Sequence, residues 1–227
     1  MRLKKTKPIR IAIDATAGSG STSLAQRLAR HYKLRYLDTG KVYRWCALQI
    51  IQKKPKNKIN FLKKRIKQLN LKKLRDKRLI ADEVAQVTSQ IAKNPKIRRM
   101  VYSFQKNIAY KIPRNFKGSI LNGRDITYKI IPDATFKFYV TASIFERSRR
   151  RTAELKKLGK KVTFKEVLKS LKKRDKSDKN RRYSPLKLGP DSLLINNTRL
   201  SITECFLKVK KIIDRKLNNY GRNYKTR

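Results

Sequence analysis

Acidic residues are scarce in this chain of 227: 15 Asp and Glu stand against 62 Lys and Arg, a formal net charge of +47. Such a balance ordinarily points to a nucleic-acid partner. The cations, however, run through every segment and are not gathered in one stripe. A lysine-rich composition accounts for that spread as well as selection for nucleic-acid binding does. Weak, salt-sensitive adsorption to nucleic acid is expected either way. Cysteine is nearly absent, and Cys46 and Cys205 lack any metal-ligand spacing, so both read as small buried residues. The single histidine, His31, closes the first helical pattern, where a cation suits the helix dipole. No apolar run reaches about 18 residues, so no membrane span is expected. The basic stretch Met1–Pro8 has no apolar segment behind it and does not read as a signal peptide. These absences point to a cytoplasmic protein. An apolar share of 39% suffices for one core.

What is present begins at Ile9. Ile9, Ile11, Ala12 and Ile13 read as a short buried strand, and Leu24, Ala25, Leu28 and Ala29 share one face of a helix. Between them lies a loop of small residues with Gly18 and Gly20. A strand, a glycine-rich loop and a helix together offer free backbone N–H groups at the positive end of a helix dipole to a phosphate. The P-loop pattern G-x-x-x-x-G-K-[ST] is matched only in part. Its positions hold Ala15, Gly20, Ser21 and Thr22, so the first glycine and the lysine are missing.

Further strands are expected at Leu34–Leu37, Gly118–Leu121, Phe136–Val140 and Ser192–Ile195. By the rule for open parallel sheets, residues at the carboxyl end of each strand face the ligand crevice. That places Asp38-Thr39-Gly40, with Tyr43 and Arg44, beside the first loop. Helices are expected from Asp82 to before Pro95, from Lys96 through Ile108, from Ser143, through Val167 and Leu171, and from Thr203 onward. Ser143 and Glu146 have the spacing of a capping box. Within Lys53–Ile80, Lys54-Pro-Lys-Asn57 breaks the preceding helix, and Phe61, Leu62, Ile66, Leu69, Leu71 and Leu74 suggest one or two basic amphipathic helices.

Four motifs succeed one another in order: the loop, Leu37-Asp-Thr-Gly-Lys-Val-Tyr-Arg44, Asn122-Gly-Arg-Asp125, and Arg174-Asp175 with Asp178-Lys-Asn-Arg181. This set resembles bacterial cytidylate kinase, a P-loop nucleoside monophosphate kinase, over roughly residues 9–50 and 82–213. The resemblance implies a three-layer α/β/α fold on a five-stranded parallel sheet, in a single domain. Its core would span about 8–50, 82–145 and 182–217, with an acceptor-side insertion at 51–81, a helical lid at 146–181 and a disordered basic tail at 218–227. It implies transfer of a phosphoryl group from ATP, with Mg²⁺, to CMP or dCMP. ATP phosphates would lie on Ala17, Gly18, Ser19, Gly20, Ser21, Thr22 and Ser23, and the metal on the Thr22 hydroxyl. Asp38, Thr39, Gly40, Tyr43, Arg44, Ser89, Arg98, Arg124 and Asp125 would hold the acceptor. Arg150, Arg174 and Arg181, oriented by Asp178, would neutralise the transferring group.

Three departures accompany the resemblance. Ser21 cannot carry the charge of a P-loop lysine, a loss on the order of 10²–10³ in rate unless another cation, such as Lys41 or a lid arginine, replaces it. Asn122 stands where an aspartate is usual, and the insertion is short and basic. Two other readings stay open: a kinase for another monophosphate such as UMP or AMP, and a kinase-like protein that binds nucleotide or RNA without turnover. A monomer acting on small-molecule nucleotides is expected.

Overall fold

The computed structural model describes residues 8–222. Five strands form one sheet: β1 (Ile9–Ala15), β2 (Leu34–Asp38), β3 (Gly118–Gly123), β4 (Phe136–Thr141) and β5 (Leu193–Asn196). Their order is β2-β3-β1-β4-β5, and every pairing is parallel. The central strand β1 is apolar almost throughout because both of its faces are covered. Ile11 and Ile13 pack with Leu24 and Leu28 of α1 (Ser21–His31) and with Val209 and Ile213 of α8 (Ile202–Arg222). Ala12 faces the opposite layer, with Val42 and Cys46 of α2 (Thr39–Lys53) and Val101 and Ile108 of α5 (Pro95–Tyr110). Cys46 and Cys205 are both buried and unpaired by disulfide. The chain goes to one side of β1 for β2 and β3, then crosses to the other for β4 and β5. The crevice at the carboxyl end of β1 is therefore the switch point where open α/β sheets place ligands.

The stretch after α2 differs from the amphipathic helices expected there. Lys54 closes α2 at φ +40°. Helix α3 (Lys58–Arg65) is short, and three 3₁₀ turns come after it at Ile66–Gln68, Lys73–Arg75 and Lys77–Ile80. Side chains explain the breaks. Asn57, Asn70 and Asp76 each accept from a nearby backbone N–H, at Asn60, Lys73 and Arg78, and so restart the chain direction. Leu62, Leu69, Leu74 and Leu79 are buried on the α2–α5 layer, at spacings no single helix face could present.

Helix α4 (Asp82–Ile91) ends before Pro95, and Asn94 caps α5 by accepting from Lys96 N and Ile97 N. Beyond β4, α6 (Ile144–Lys157) and α7 (Phe164–Asn180) form a helical hairpin over the first loop. Ser143 caps α6, but the reciprocal half of the expected capping box is not made. The Glu146 carboxylate is taken instead by Arg149 and Arg150. The capping box belongs to α7, between Thr163 and Glu166. The expected tail is also shorter, because α8 continues through Asn218 to Arg222. Residues 223–227 lie outside the described residues.

Candidate active site

The loop Thr16–Gly20 leaves the carboxyl end of β1 and turns into α1 through Gly18 at φ +74° and Gly20 at φ +81°, a left-handed conformation that glycine adopts at least cost. Two side chains from elsewhere hold its carbonyls. Arg147 Nη1 donates to Ala17 O at 2.9 Å, and Asn197 Nδ2 to Ser19 O at 2.5 Å. No side chain caps α1, and its first turn holds no acidic residue. Its leading N–H groups therefore remain available to an anion, with the helix dipole behind them. Ser21, at the lysine position, is 7% exposed. Asn122 Nδ2 lies 3.3 Å from Thr22 Oγ1 and donates to it.

The ends of β2 and β3 supply the facing wall. Asp38 caps α2 by accepting from Gly40 N, and Thr39 Oγ1 donates to Asn122 O at 2.9 Å. That approach is close because the neighbour is Gly123, whose added Cβ would stand 2.2 Å from Thr39 Oγ1. Beyond β3, Asp125 is buried and its Oδ2 accepts from Arg98 Nη2 and from the Tyr102 hydroxyl, each at 2.6 Å. Arg98 also lies over the Tyr43 ring, 5.4 Å from its centroid. Burial works against the charge of Arg98, but Tyr43, Asp125 and Tyr102 outweigh it and hold the guanidinium above its ordinary range.

The hairpin closes the third side. Arg124 Nε donates to Asp178 Oδ2 at 2.8 Å, with Arg181 and Arg174 standing 3.7 and 4.0 Å from the same carboxylate. Burial alone would raise Asp178, yet Arg124, Arg174 and Arg181 bring it below the usual carboxylate range. Arg44 and Arg181 are each held below the ordinary guanidinium range, by burial first and then by a neighbouring guanidinium, Arg151 and Arg98 respectively. So many guanidiniums around one carboxylate leave an excess of positive charge. A polyphosphate is the ligand that would relieve it.

Not every residue expected at the site joins this cluster. Arg150 is turned away: its guanidinium bonds Glu146, Asn197 O and Leu200 O, on the loop between β5 and α8. Ser89 is exposed on α4 and takes no part in the cluster's hydrogen bonds. Lys41 is half-buried in the first turn of α2. Arg44 Nη1 donates to Leu79 O at 2.8 Å, tying α2 to the insertion.

Arg147 has almost nothing in the sequence to single it out, being one of four arginines on α6. It is 4% exposed and makes three bonds, to Ala142 O, Ala17 O and Asp175 Oδ2. Its position on the buried stripe with Ile144 and Ser148 is the one signal that separates it from Arg149, which is exposed. Asp14 carries no sequence signal of its role either. It is fully buried at the end of β1 and accepts from Ile126 N, Thr127 N and the Thr127 hydroxyl, holding the π-helical turn Ile126–Ile130 just beyond Asp125. Burial raises its pKa to about 6, against the lowering effect of those three bonds.

A parallel sheet with a phosphate-cradling loop at its switch point and arginines converging above it defines a P-loop phosphotransferase. A family model described as cytidylate kinase matches residues 11–215. The cytidylate kinase of Bartonella tribocorum is 38% identical over 213 residues, which cover 92% of this chain and 95% of that protein. That of Mesorhizobium japonicum is 38% identical over 205 residues, 90% of this chain and 93% of its own. The crystal structure of an uncharacterized protein from Eubacterium ventriosum aligns over 91% of this chain and 98% of its own, at a TM-score of 0.50 and 17% identity, a likeness that bears on the fold alone. The chain belongs to the cytidylate kinase family, whose reaction is phosphoryl transfer from ATP to CMP or dCMP.

Proposed function

We propose that this chain carries out the family reaction with the loop as it stands, without a lysine. The convergence of Arg124, Arg174 and Arg181 on Asp178, directly above the carboxyl ends of β1 and β3, carries this reading. ATP would lie with its β- and γ-phosphates on the N–H groups of residues 17–23. The acceptor would be held by Arg98, Arg124 and Asp125, with Tyr43 and Arg44 beside them. An oxygen of the acceptor phosphate attacks the γ-phosphorus, the bond to the β–γ bridging oxygen breaks, and ADP leaves with that oxygen's electron pair. Nothing covalent passes through the protein, so its contribution is alignment and charge neutralisation. Arg174 and Arg181 would exchange Asp178 for phosphate oxygens as the nucleotide enters.

The residues fit a Mg²⁺ ion bound chiefly by phosphates and water. Thr22 and Asn122 offer neutral oxygens at the loop and no carboxylate, a donor set that leaves most of the coordination to the substrate. When bound, the ion would neutralise charge on the phosphates. Buried polar atoms without a partner among the described residues, Ser19 Oγ, Tyr43 Oη and Arg181 Nη2, lie around the same crevice and support its use as a polar ligand site. The net charge of +47 disfavours self-association and supports a monomer. No helix among the described residues is long and apolar enough to cross a membrane.

Ser21 favours a second reading, a family member that binds nucleotide but no longer turns it over. One experiment separates the two: ADP release from ATP and Mg²⁺ with CMP, dCMP, UMP, AMP or GMP in parallel. Release with CMP and dCMP alone is the expected result. Release with UMP or AMP instead would move the acceptor assignment. Silence with all five, beside measurable ATP binding, would establish the second reading.

A further inference from the structure

Arg98 and Tyr102 stand four residues apart on α5, so their side chains meet on one face of the helix. Tyr102 belongs to none of the four sequence motifs, yet its hydroxyl has three partners. It donates to Asp125 Oδ2 at 2.6 Å, since a carboxylate can only accept, and it accepts from Arg98 Nε at 2.9 Å. With its one proton committed to Asp125, it must also accept from the Ser184 hydroxyl. Ser184 lies just past α7, at φ +53°, and its carbonyl accepts from Arg181 Nε. Burial, and after it the charge of Asp125, keeps the phenol protonated above its ordinary range. Arg98 and Asp125 are 3% and 4% exposed. Arg98 Nη2 bonds the same Oδ2 at 2.6 Å, and Nη1 bonds Ala92 O at 3.0 Å. Oδ2 therefore has two donors, while Oδ1 accepts none among the described residues.

A guanidinium this close to a carboxylate commonly closes a two-bond fork, one N–H to each oxygen. Here the phenol occupies Nε, so the fork stays open and one carboxylate oxygen is free. We propose that Tyr102 is a positioning residue of the acceptor site, whose hydroxyl holds Arg98 to a single bond with Asp125 and so keeps Oδ1 for the incoming nucleotide. This rests on the proposed assignment of Arg98 and Asp125 to the acceptor. Without the hydroxyl, Nε would lose its acceptor and turn to Oδ1, because a buried charged donor left unpaired is costly. A ligand N–H or O–H would then have to open a buried ion pair before reaching that oxygen. The aromatic contact is a separate matter. Arg98 lies 5.3 Å from the Tyr102 centroid and 5.4 Å from that of Tyr43, contacts that a phenylalanine at residue 102 would keep.

The test is the binding of CMP and of ATP, each measured by calorimetry on the whole chain, for wild type, Tyr102→Phe and Asp125→Asn. Tyr102→Phe should raise the Kd for CMP about 5-fold or more and leave that for ATP within about 2-fold. A rise shared equally by ATP would make Tyr102 a folding residue and overturn the proposal. Unchanged CMP binding in Tyr102→Phe, beside weakened binding in Asp125→Asn, would also overturn it while leaving the acceptor site standing. No CMP binding by the wild type, or binding that Asp125→Asn does not weaken, would remove the acceptor assignment and this proposal with it. A crystal structure of Tyr102→Phe reads the cause directly. Arg98 Nε within hydrogen-bond reach of Asp125 Oδ1 is the expected result, and Nε still apart from that oxygen would overturn the closed fork. Because binding is read without turnover, a chain that cannot transfer a phosphoryl group still decides the question.

Discussion

Asp14 shows how much a single buried group can set in this molecule. Its carboxyl accepts three bonds that fix the turn carrying Asp125, yet burial lifts its pKa to about 6 from an ordinary 3.8. A carboxyl raised in the folded state favours folding while protonated. That contribution is complete below about pH 4 and is lost as pH rises through about 6. The difference in Tm between wild type and Asp14→Asn should therefore shrink as pH rises from 4 to 6. A difference that grows over that range would contradict the burial-driven shift. At this scale the sequence is readable where a motif surrounds the residue. Asp38, Arg124 and Asp125 are marked by their neighbours in the chain. Asp14 and Arg147 are not, because what distinguishes them is burial against distant backbone: Ile126 and Thr127 for one, Ala17 for the other.

Between residues and whole molecule, the hairpin α6–α7 is the element on which function turns. Its contacts with the first loop and with β3 include Arg147 with Ala17 O, Asp178 with Arg124, and Leu171 and Val167 against Ala17, and Arg147 also bonds Asp175 across the hairpin. Of these, Arg147 alone bridges the loop and both helices. Arg147→Lys keeps the charge but not the fork that reaches two carbonyls and a carboxylate at once. It should lower Tm by roughly 3–10 °C and raise KM for ATP about 10-fold or more, because the loop carbonyl at Ala17 is no longer held. A KM unchanged beside a lowered Tm would make Arg147 a folding residue only. The five strands and the hairpin are legible from apolar runs bounded by glycine and polar turns. The insertion is not. Its leucines, at 62, 69, 74 and 79, obey turns set by asparagine and aspartate side chains and not a helical period, so counting by 3.6 overestimates the helix.

Over the whole molecule, charge is the feature that the fold does not absorb. Exposed lysines lie on the stretch between α2 and α4, on both hairpin helices and on α8, so the positive charge is spread over the molecule with no single pole. Such a field binds a polyphosphate chain weakly and without register, and salt removes it by restoring counterions. Adsorption to RNA should be measurable near 50 mM salt and be lost at about 200–300 mM. Binding that survives that range would mean a built nucleic-acid site. The crevice differs from this diffuse field, since there Arg98, Arg124 and Arg181 are held in place by Asp125 and Asp178. Placement, not charge count, makes it a site for a particular nucleotide pair.

The most direct test is the rate of CDP formation from ATP and CMP by the unmodified chain and by Arg124→Ala. In the proposed site Arg124 would stand between acceptor and donor phosphates, and its side chain bonds Asp178 and Gly123 O among the described residues. Steady turnover by the wild type, with kcat/KM reduced about 10²–10³-fold in Arg124→Ala, is the predicted result. No CDP from the wild type, or equal rates from the two, would contradict a phosphoryl-transfer site at this crevice.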